Sequence, residues 1–308
     1  MSGWRGRRVL VTGHTGFKGS WLSLWLHSMG AEVTGLALPA PTAPSLFEAA
    51  RIRDIVEHVE ADVRDCALVH STFARAKPEL VFHLAAQPLV RASYSDPIGT
   101  YDTNVMGTVH VLDAARHVGG VTGIVCVTSD KCYENLGWPW GYRETDRLGG
   151  SDPYSVSKGC AELVVEAYRR SFFRDPGSPV LATARAGNVF GGGDWATDRL
   201  VPDIVRAVAA GKPVHIRNPA SVRPWQHVLE PLAGYLMLAA RIAEGDRSVV
   251  GQLIFEKGVM RGWSLVRDFI QKIRKVPVGL RGLADIPFRH ASKTTCDGNP
   301  GPPGFCPD

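Results

Sequence analysis

The sequence predicts a doubly wound α/β fold: a parallel sheet with helices on both faces and a smaller, interleaved C-terminal lobe. Three observations lead there. Through the first half, short apolar runs alternate with longer amphipathic ones, the pattern of successive βαβ units. Glycines at 13, 16 and 19 fall directly between the first apolar run and the first helical one. Asp-Pro pairs at 96–97 and 152–153 each supply a helix N-cap followed by proline at the first helical position.

Taken in order, strands are expected at 8–12, 32–37, 58–60, 80–84 and 123–128, with helices between them near 17–29, 45–56, 66–76 and 97–117. The second Asp-Pro signal opens a helix running to about Phe173. After Gly177 come a strand at 180–185, a glycine-rich loop at 191–193 and a helix from about Leu200. Residues 252–256 read as a strand. Residues 264–276 read as an amphipathic helix, with Leu265, Val266, Phe269, Ile270 and Ile273 on one side. Prolines and glycines dominate 300–308, where no structure is expected. The expected organisation is a dinucleotide-binding domain over 1–178, a substrate-binding lobe over 179–290 and a disordered tail over 291–308.

Composition excludes several classes. A chain of 308 residues with 44% hydrophobic and 21% charged residues is globular, with room for one large domain or two closely joined ones. No apolar run reaches the length of a membrane span, and the start does not resemble a signal peptide, so a cytoplasmic protein without membrane association is expected. The six cysteines (Cys66, Cys126, Cys132, Cys160, Cys296 and Cys306) form no C-x-x-C pair and no Cys/His set at metal spacing. They read as free thiols, and no metal is expected. The net charge of +5 is modest, and Arg5, Arg7 and Arg8 read as a solvated strand entry rather than a nucleic-acid arm. A mildly basic protein suits an anionic, phosphate-bearing substrate.

The segment GHTGFKG at 13–19 carries the first chemistry. Gly13 permits a tight turn, Gly16 lets the backbone approach a pyrophosphate, and Gly19 lets the helix pack closely on the strand. The helix N-terminus then offers unpaired N–H groups to the phosphates. The acidic residue that commonly closes the second strand of such a unit is absent, since Leu36, Ala37 and Leu38 stand there. Position therefore does not decide NAD from NADP. Asp62 and Val63, just past the third strand, read either as an adenine contact or as a helix cap before Arg64 and Asp65.

Tyr154 and Lys158 stand four apart at the start of a helix and share a face. A phenol of ordinary pKa, about 10, is a poor base at neutral pH; a neighbouring ammonium stabilises the phenolate and lowers that pKa. Ser129, Asp130 and Lys131 follow the fifth strand, at the carboxyl edge where doubly wound sheets bind ligands. Ser129 is placed to hydrogen-bond a substrate hydroxyl together with Tyr154. Asp130 and Lys131 read as an acid and a base side by side, or as a surface ion pair.

At this point the sequence resembles the extended short-chain dehydrogenase/reductase family, the NAD-dependent epimerases and dehydratases, and within it the branch of 4,6-dehydratases that act on CDP-glucose. The resemblance runs from about Gly6 to Ala240. It rests on GHTGFKG (13–19), FHLAAQPLVR (82–91), TNVMGTV (103–109), TSDKCYEN (128–135), DPYSVSKGCAE (152–162), RAGNVFGGGDW (185–195) and IRNPASVRPWQHVLEP (216–231). Related dTDP-glucose dehydratases typically carry Asp-Glu where this chain has Asp130-Lys131, so the Asp-Lys-Cys form and the RPWQHV segment point to the CDP-sugar branch.

The resemblance implies NAD as cofactor, held by Gly13, Thr15, Gly16, Phe17, Gly19, Asp62, Val63, Leu84, Ala85, Ala86, Asn104, Tyr154 and Lys158. It implies a three-stage reaction. Tyr154, helped by Ser129 and Lys158, removes the C4 hydroxyl proton during oxidation. Asp130 protonates the departing C6 hydroxyl while Lys131 takes the C5 proton. Hydride return to C6 then gives CDP-4-keto-6-deoxyglucose. Lys131 must be neutral to act as a base, which asks burial and nearby Lys158 to lower its pKa. The resemblance also places Asn188, Arg199, Arg217 and Arg223 near the nucleotide or its diphosphate, and Gln87 and Arg91 at the mouth of the sugar pocket. Arg217 reads equally as a surface strand residue, and Trp195 and Trp225 as site walls or plain core. The helices near 97–117 and 153–173 resemble those that pair subunits, which implies a homodimer.

After about Val250 the pattern departs. The family carries an Asn-Phe-Gly-Pro turn and a longer C-terminal lobe; this chain has Ile254-Phe255-Glu256-Lys257. The expectation drawn from this is a truncated or out-of-frame end and poor turnover. Two further readings stay open: an NAD-dependent nucleotide-sugar epimerase using the same Tyr154 and Lys158, and a non-catalytic dinucleotide-binding protein with a defective C-terminal lobe.

Overall fold

A computed structural model describes residues 2–138, 140–217, 221–249, 251–255 and 259–261. In chain order the strands are β1 Arg8–Thr12, β2 Glu32–Ala37, β3 Glu57–Glu60, β4 Leu80–His83, β5 Gly123–Val127, β6 Val180–Ala186, β7 Asn188–Phe190, β8 Val222–His227, β9 Gly251–Phe255 and β10 Val259–Arg261. The helices are α1 Phe17–Ser28, α2 Leu46–Ala49, α3 Cys66–Ala76, α4 Val90–Ser95, α5 Pro97–Tyr101, α6 Gly107–Val118, α7 Pro153–Ser171, α8 Leu200–Ala209 and α9 Leu229–Ala243.

Seven strands form one sheet in the order β3-β2-β1-β4-β5-β6-β9, and every pairing is parallel. Parallel pairing follows from the crossover helices, which return the chain to the same edge each time. The chain leaves β1 outward through β2 and β3, then crosses back to place β4 on the other side of β1. That reversal opens a crevice outside the carboxyl ends of β1 and β4, the place where such sheets take ligands.

Both faces of the sheet are covered, and alternation along each strand assigns its residues. On one face Val9, Val11, Val33, Phe82 and Val125 pack with Leu22 and Leu26 of α1 and with Leu232, Tyr235 and Leu236 of α9. On the other, Leu10, Leu36, Val81, Ile124 and Leu181 pack with Val69 and Phe73 of α3, Val111 and Leu112 of α6 and Val165 of α7.

The chain divides into two compact units, Met1–Trp195 with Trp225–Lys257, and Ala196–Pro224 with Gly258–Asp308. In the first, β7 pairs in parallel with the end of β8, Asn188 opposite Trp225. In the second, β10 pairs antiparallel with residues 222–224, and Ile204 of α8 packs on Val214.

Several expected elements differ in detail. The helix expected over 45–56 is two pieces: Ser45 caps α2 by accepting from Glu48 N, and Arg51 at φ 50° then turns the chain into a 3-10 turn at Ile52–Asp54. The helix expected over 97–117 contains a π-helical turn, Asp102–Met106, between α5 and α6. The helix α9 was not anticipated, because its N-cap, Val228, offers no side-chain start signal. Both Asp-Pro caps form: Asp96 accepts from Gly99 N and Asp152 from Ser155 N. Cys66, Cys126, Cys132 and Cys160 are free thiols; Cys296 and Cys306, and the helix expected over 264–276, lie outside the described residues. No helix among the described residues is long and apolar enough to cross a membrane.

Candidate active site

The loop after β1 is built so that only glycine fits at two points. Gly13 has φ +76°, and a Cβ there would lie 2.7 Å from the backbone nitrogen of Ala85, at the exit of β4. A Cβ on Gly19 would lie 2.1 Å from the Gly13 carbonyl oxygen. The loop therefore presses against backbone on both sides, at the point where the strand order reverses. Gly16 is the N-cap of α1 and brings no capping side chain, and the first turn of α1 carries no acidic residue. The N–H groups of that turn and their partial positive charge are left for an anion. A backbone cradle with no side chain inside it fits the pyrophosphate of a dinucleotide.

The neighbouring residues hold the cradle. Thr15 Oγ1 donates to the Leu38 carbonyl at 2.8 Å, tying the loop to the chain after β2, and Phe17 packs against the core at the start of α1. Leu84, Ala85 and Ala86 form the facing wall, with Ala85 N donating to Thr12 Oγ1 at 3.2 Å. Asp62 is held by Arg64: it accepts from Arg64 N at 2.9 Å and from Arg64 Nε at 2.8 Å, and these bonds keep its pKa below the usual carboxylate value. The cap of α3 is Asp65, not Asp62. Val63 is buried against Gly107, and its carbonyl meets His110 Nδ1 at 2.9 Å.

Tyr154 and Lys158 lie in the first turns of α7, 8% and 6% exposed. The Asp152 cap and a hydrogen bond from Tyr154 N to Ser93 Oγ (3.1 Å) fix where that helix begins. Burial brings the Lys158 ammonium down to about 8, with the Cys126 and Glu162 charges opposing the shift. Lys158 Nζ lies 3.5 Å from the Val127 carbonyl, at the end of β5. Ser129 caps a 3-10 turn, Asp130–Cys132, directly after that strand. Its hydroxyl donates to Asp130 Oδ1 at 2.9 Å and accepts from Lys131 N at 3.2 Å. The turn packs on α7, where a Cβ on Gly159 would meet the Cys132 carbonyl at 3.4 Å. Ser129, Asp130 and Lys131 thus sit on the exit of β5, against the helix that carries Tyr154 and Lys158.

Four buried residues that the sequence did not single out support this edge: Thr12, His83, Thr108 and Tyr235. His83 Nδ1 lies 2.7 Å from Thr12 Oγ1 and Nε2 lies 3.1 Å from Thr108 Oγ1. Thr108 donates its own proton to the Asn104 carbonyl (2.7 Å), so His83 must donate through Nε2 and accept through Nδ1. Burial first, and the Lys158 charge second, bring His83 down to about 3, so the ring is neutral. The motif at 82–91 contains it but gives it no role; only folding places threonines from β1 and α6 on its two sides. Tyr235 of α9 is also buried, its phenol pushed up by burial and then by Tyr154.

The expected substrate residues divide. The Gln87 side chain is engaged within the chain: Nε2 donates to Leu89 O (3.1 Å) and Thr100 Oγ1 (3.0 Å), while Oε1 accepts from Leu89 N (2.6 Å). Arg91 is exposed on α4. Asn188 and Trp225 are half-buried, facing each other in register, and Trp195 is half-buried in the same unit. In the second unit Arg199 is the N-cap of α8 and Arg223 is half-buried on β8. Arg217 is exposed and paired with Asp198 at 2.8 Å.

Metal ligands were not expected, and among the described residues one group of ligating side chains meets: His70, Asp113 and His117. His117 Nδ1 bonds the Asp113 carbonyl at 2.8 Å and Nε2 lies 3.1 Å from the Arg116 guanidinium. Asp113 is also 3.2 Å from His70. With both His117 nitrogens engaged and an arginine alongside, the group is an ion-pair knot between α3 and α6.

The sequence and the fold both match known proteins. The family model for the NAD dependent epimerase/dehydratase family matches residues 9–251. The chain is 60% identical over 243 residues to CDP-glucose 4,6-dehydratase of Salmonella typhimurium, a match spanning 78% of this chain and 68% of that one. It is 30% identical over 283 residues to dTDP-glucose 4,6-dehydratase of Streptomyces antibioticus, spanning 84% and 79%. In fold it resembles UDP-glucose 4-epimerase of Thermus thermophilus solved with NAD (TM-score 0.75, 24% identity, 88% and 84% of the two chains). It likewise resembles dTDP-glucose 4,6-dehydratase of Streptomyces venezuelae with NAD bound (TM-score 0.73, 22% identity, 91% and 87%). The chain belongs to the NAD dependent epimerase/dehydratase family.

Proposed function

We propose that the protein is a hydro-lyase that converts CDP-glucose to CDP-4-keto-6-deoxyglucose with NAD, without net redox change. The observation that carries this is the Asp130–Lys131 pair on the β5 turn, packed on the helix of Tyr154 and Lys158. An epimerase needs the tyrosine and lysine but no second acid–base pair. The 60% identity to a CDP-glucose 4,6-dehydratase supports the same reading.

When bound, NAD would supply a reversible hydride acceptor for the oxidation at C4 and the reduction at C6. The residues move the protons. Tyr154, as phenolate, takes the C4 hydroxyl proton, with Lys158 stabilising its charge and Ser129 holding the substrate oxygen. The C4 ketone acidifies C5–H, and Lys131 removes that proton while Asp130 gives one to the leaving C6 hydroxyl, so that water departs. A proton returned at C5 completes the sequence; one water is lost and the cofactor is unchanged. Gly13, Thr15, Gly16, Phe17, Gly19, Asp62, Val63, Leu84, Ala85, Ala86 and Asn104 hold the cofactor in this reading. In this reading Arg199, Arg217 and Arg223 of the second unit suit a diphosphate, for which arginine's planar fork is fitted, and Asn188 of the first unit suits the nucleotide.

A homodimer fits the same reading. Ile98 of α5, Met106 of the π turn and Leu163 of α7 are 75%, 44% and 60% exposed, apolar side chains on the two helical segments expected to pair subunits. The cytoplasm, a reducing compartment, suits four free thiols among the described residues.

A Lys131→Met variant tests the mechanism. It should still oxidise C4, building up reduced cofactor, while loss of water falls by roughly a hundredfold or more. Unaltered turnover would remove Lys131 from the mechanism.

A further inference from the structure

The turn that carries Ser129, Asp130 and Lys131 is strapped at both ends to one buried ion pair. At its start, Thr128 donates its hydroxyl to Glu162 of α7. At its end, the Tyr133 phenol oxygen accepts from Arg185 Nη1 at 2.5 Å. Glu162 and Arg185 bond each other through both arms, Nε to Oε1 at 3.0 Å and Nη2 to Oε2 at 2.9 Å. Their side chains are 0% and 1% exposed. Thr183 of β6 donates to Glu162 Oε2 at 2.9 Å, and Arg185 Nη1 also reaches the Glu144 carbonyl at 2.9 Å.

A buried ion pair is a poor way to gain stability. Desolvating two charges offsets much of their attraction, and well-packed apolar residues of similar volume often do as well. What a fully bonded pair does supply is fixed geometry, because every member is held in one arrangement. Here the fixed arrangement reaches the turn from two sides, through Thr128, two positions before Asp130, and Tyr133, two positions after Lys131. Tyr133 is braced further by stacking on Tyr142, ring centroids 5.0 Å apart and planes 12° apart.

We propose that Glu162 and Arg185 are positioning residues for the elimination of water: through Thr128 and Tyr133 they set the Asp130–Lys131 turn against the substrate's C5–C6 bond. The inference rests on the dehydratase reading. Tyr154 and Lys158 are placed independently, by the Asp152 cap and the Ser93 hydrogen bond, and only Ser129 of the C4-oxidation residues rides on the turn, so C4 oxidation depends on the straps less than water loss does. The two halves of the reaction should therefore separate when a strap is cut.

Thr128→Val and Tyr133→Phe each cut one strap and leave the ion pair in place. Backbone hydrogen exchange, followed by mass spectrometry without substrate, should quicken severalfold over 128–133 and stay unchanged in the rest of α7 and the sheet. With CDP-glucose and NAD, formation of reduced cofactor should stay within about threefold of wild type, while water loss falls roughly 10- to 100-fold, the cost of misplacing reacting groups by about 1 Å. Equal loss of both steps, unchanged exchange in the turn, or faster exchange with normal water loss would each overturn the proposal. Wild-type protein that releases no water would instead sink the dehydratase reading, a result seen before any variant is compared.

Discussion

Asn104 Nδ2 lies 2.8 Å from Ser157 Oγ, which joins the π turn at 102–106 to α7 between Tyr154 and Lys158. The same side chain accepts from Gln87 N at 2.8 Å and donates to Gln87 O at 3.1 Å, closing the wall after β4. Asn104 lies in the π turn and is buried, 1% exposed. Asn104→Ala leaves the buried Ser157 hydroxyl and two half-buried Gln87 backbone groups without this partner and should cost about 2 kcal/mol in a urea melt. Turnover should fall about tenfold with it. A variant with wild-type stability and rate would remove Asn104 from the scaffold of the site.

The glycine loop gives a prediction about the cofactor alone. Gly19→Ala forces a Cβ against the Gly13 carbonyl at 2.1 Å, with backbone on both sides and nothing flexible to yield. The helix start must shift, at a cost of about 1–3 kcal/mol. Titration of the protein with NADH, read by fluorescence, should show affinity weakened tenfold or more while the fold survives. Equal affinity would mean the phosphates sit elsewhere.

Lys158 sets an alkaline limit. Burial brings its pKa from 10.5 to about 8, and only the protonated form stabilises the Tyr154 phenolate. The rate of C4 oxidation should therefore fall as pH rises through about 8. The contribution of Lys158 to stability runs the other way: between about 8 and 10.5 the unfolded chain holds on this lysine a proton that the folded one has lost, so its contribution grows as pH rises across that window. Lys158→Met should remove the alkaline limit and this contribution, read as the difference between variant and wild type in a pH–rate profile and in urea melts at pH 8 and 10.

Two buried histidines set an acid limit. His14 is brought down to about 4, by burial first and then by His58, whose Nδ1 lies 2.7 Å from His14 Nε2. His83 is brought down to about 3. Both are neutral in the fold and titrate near 6.5 when unfolded, so their contribution is complete above 6.5 and is lost progressively as pH falls below it. Each removes up to about 1.4 kcal/mol per pH unit. Urea melts between pH 6.5 and 5, above the range of ordinary carboxylates, should show the decline; a flat profile would contradict it.

Much of this architecture is legible in the residues because it is local. Strands β1, β2 and β6 are apolar runs bounded by turn residues, and α5 and α7 announce themselves through Asp-Pro caps, so their positions follow from spacing. Tyr154 and Lys158 are legible for the same reason, four apart on one helix face. Elements without a local start signal escape: α9 begins on Val228, and the break after α2 depends on one left-handed residue, Arg51. The buried polar chemistry escapes as well, because its partners are distant in sequence. His83 meets Thr12 and Thr108, and Arg185 meets Glu162 and Tyr133, only once the sheet has formed. Glu162 alone carried a usable hint, standing one turn beyond Lys158 on the same face of α7.

The central claim is that Asp130 and Lys131 turn a sugar oxidation into a dehydration. Incubating the full chain with CDP-glucose and NAD and weighing the nucleotide-sugar product tests it most directly. The account predicts a product lighter by one water, formed with no net consumption of NAD, and formed faster from CDP-glucose than from dTDP-, UDP- or GDP-glucose. A product of unchanged mass with inverted stereochemistry would make the protein an epimerase, and an untouched substrate would leave a dinucleotide-binding protein; either result contradicts the account.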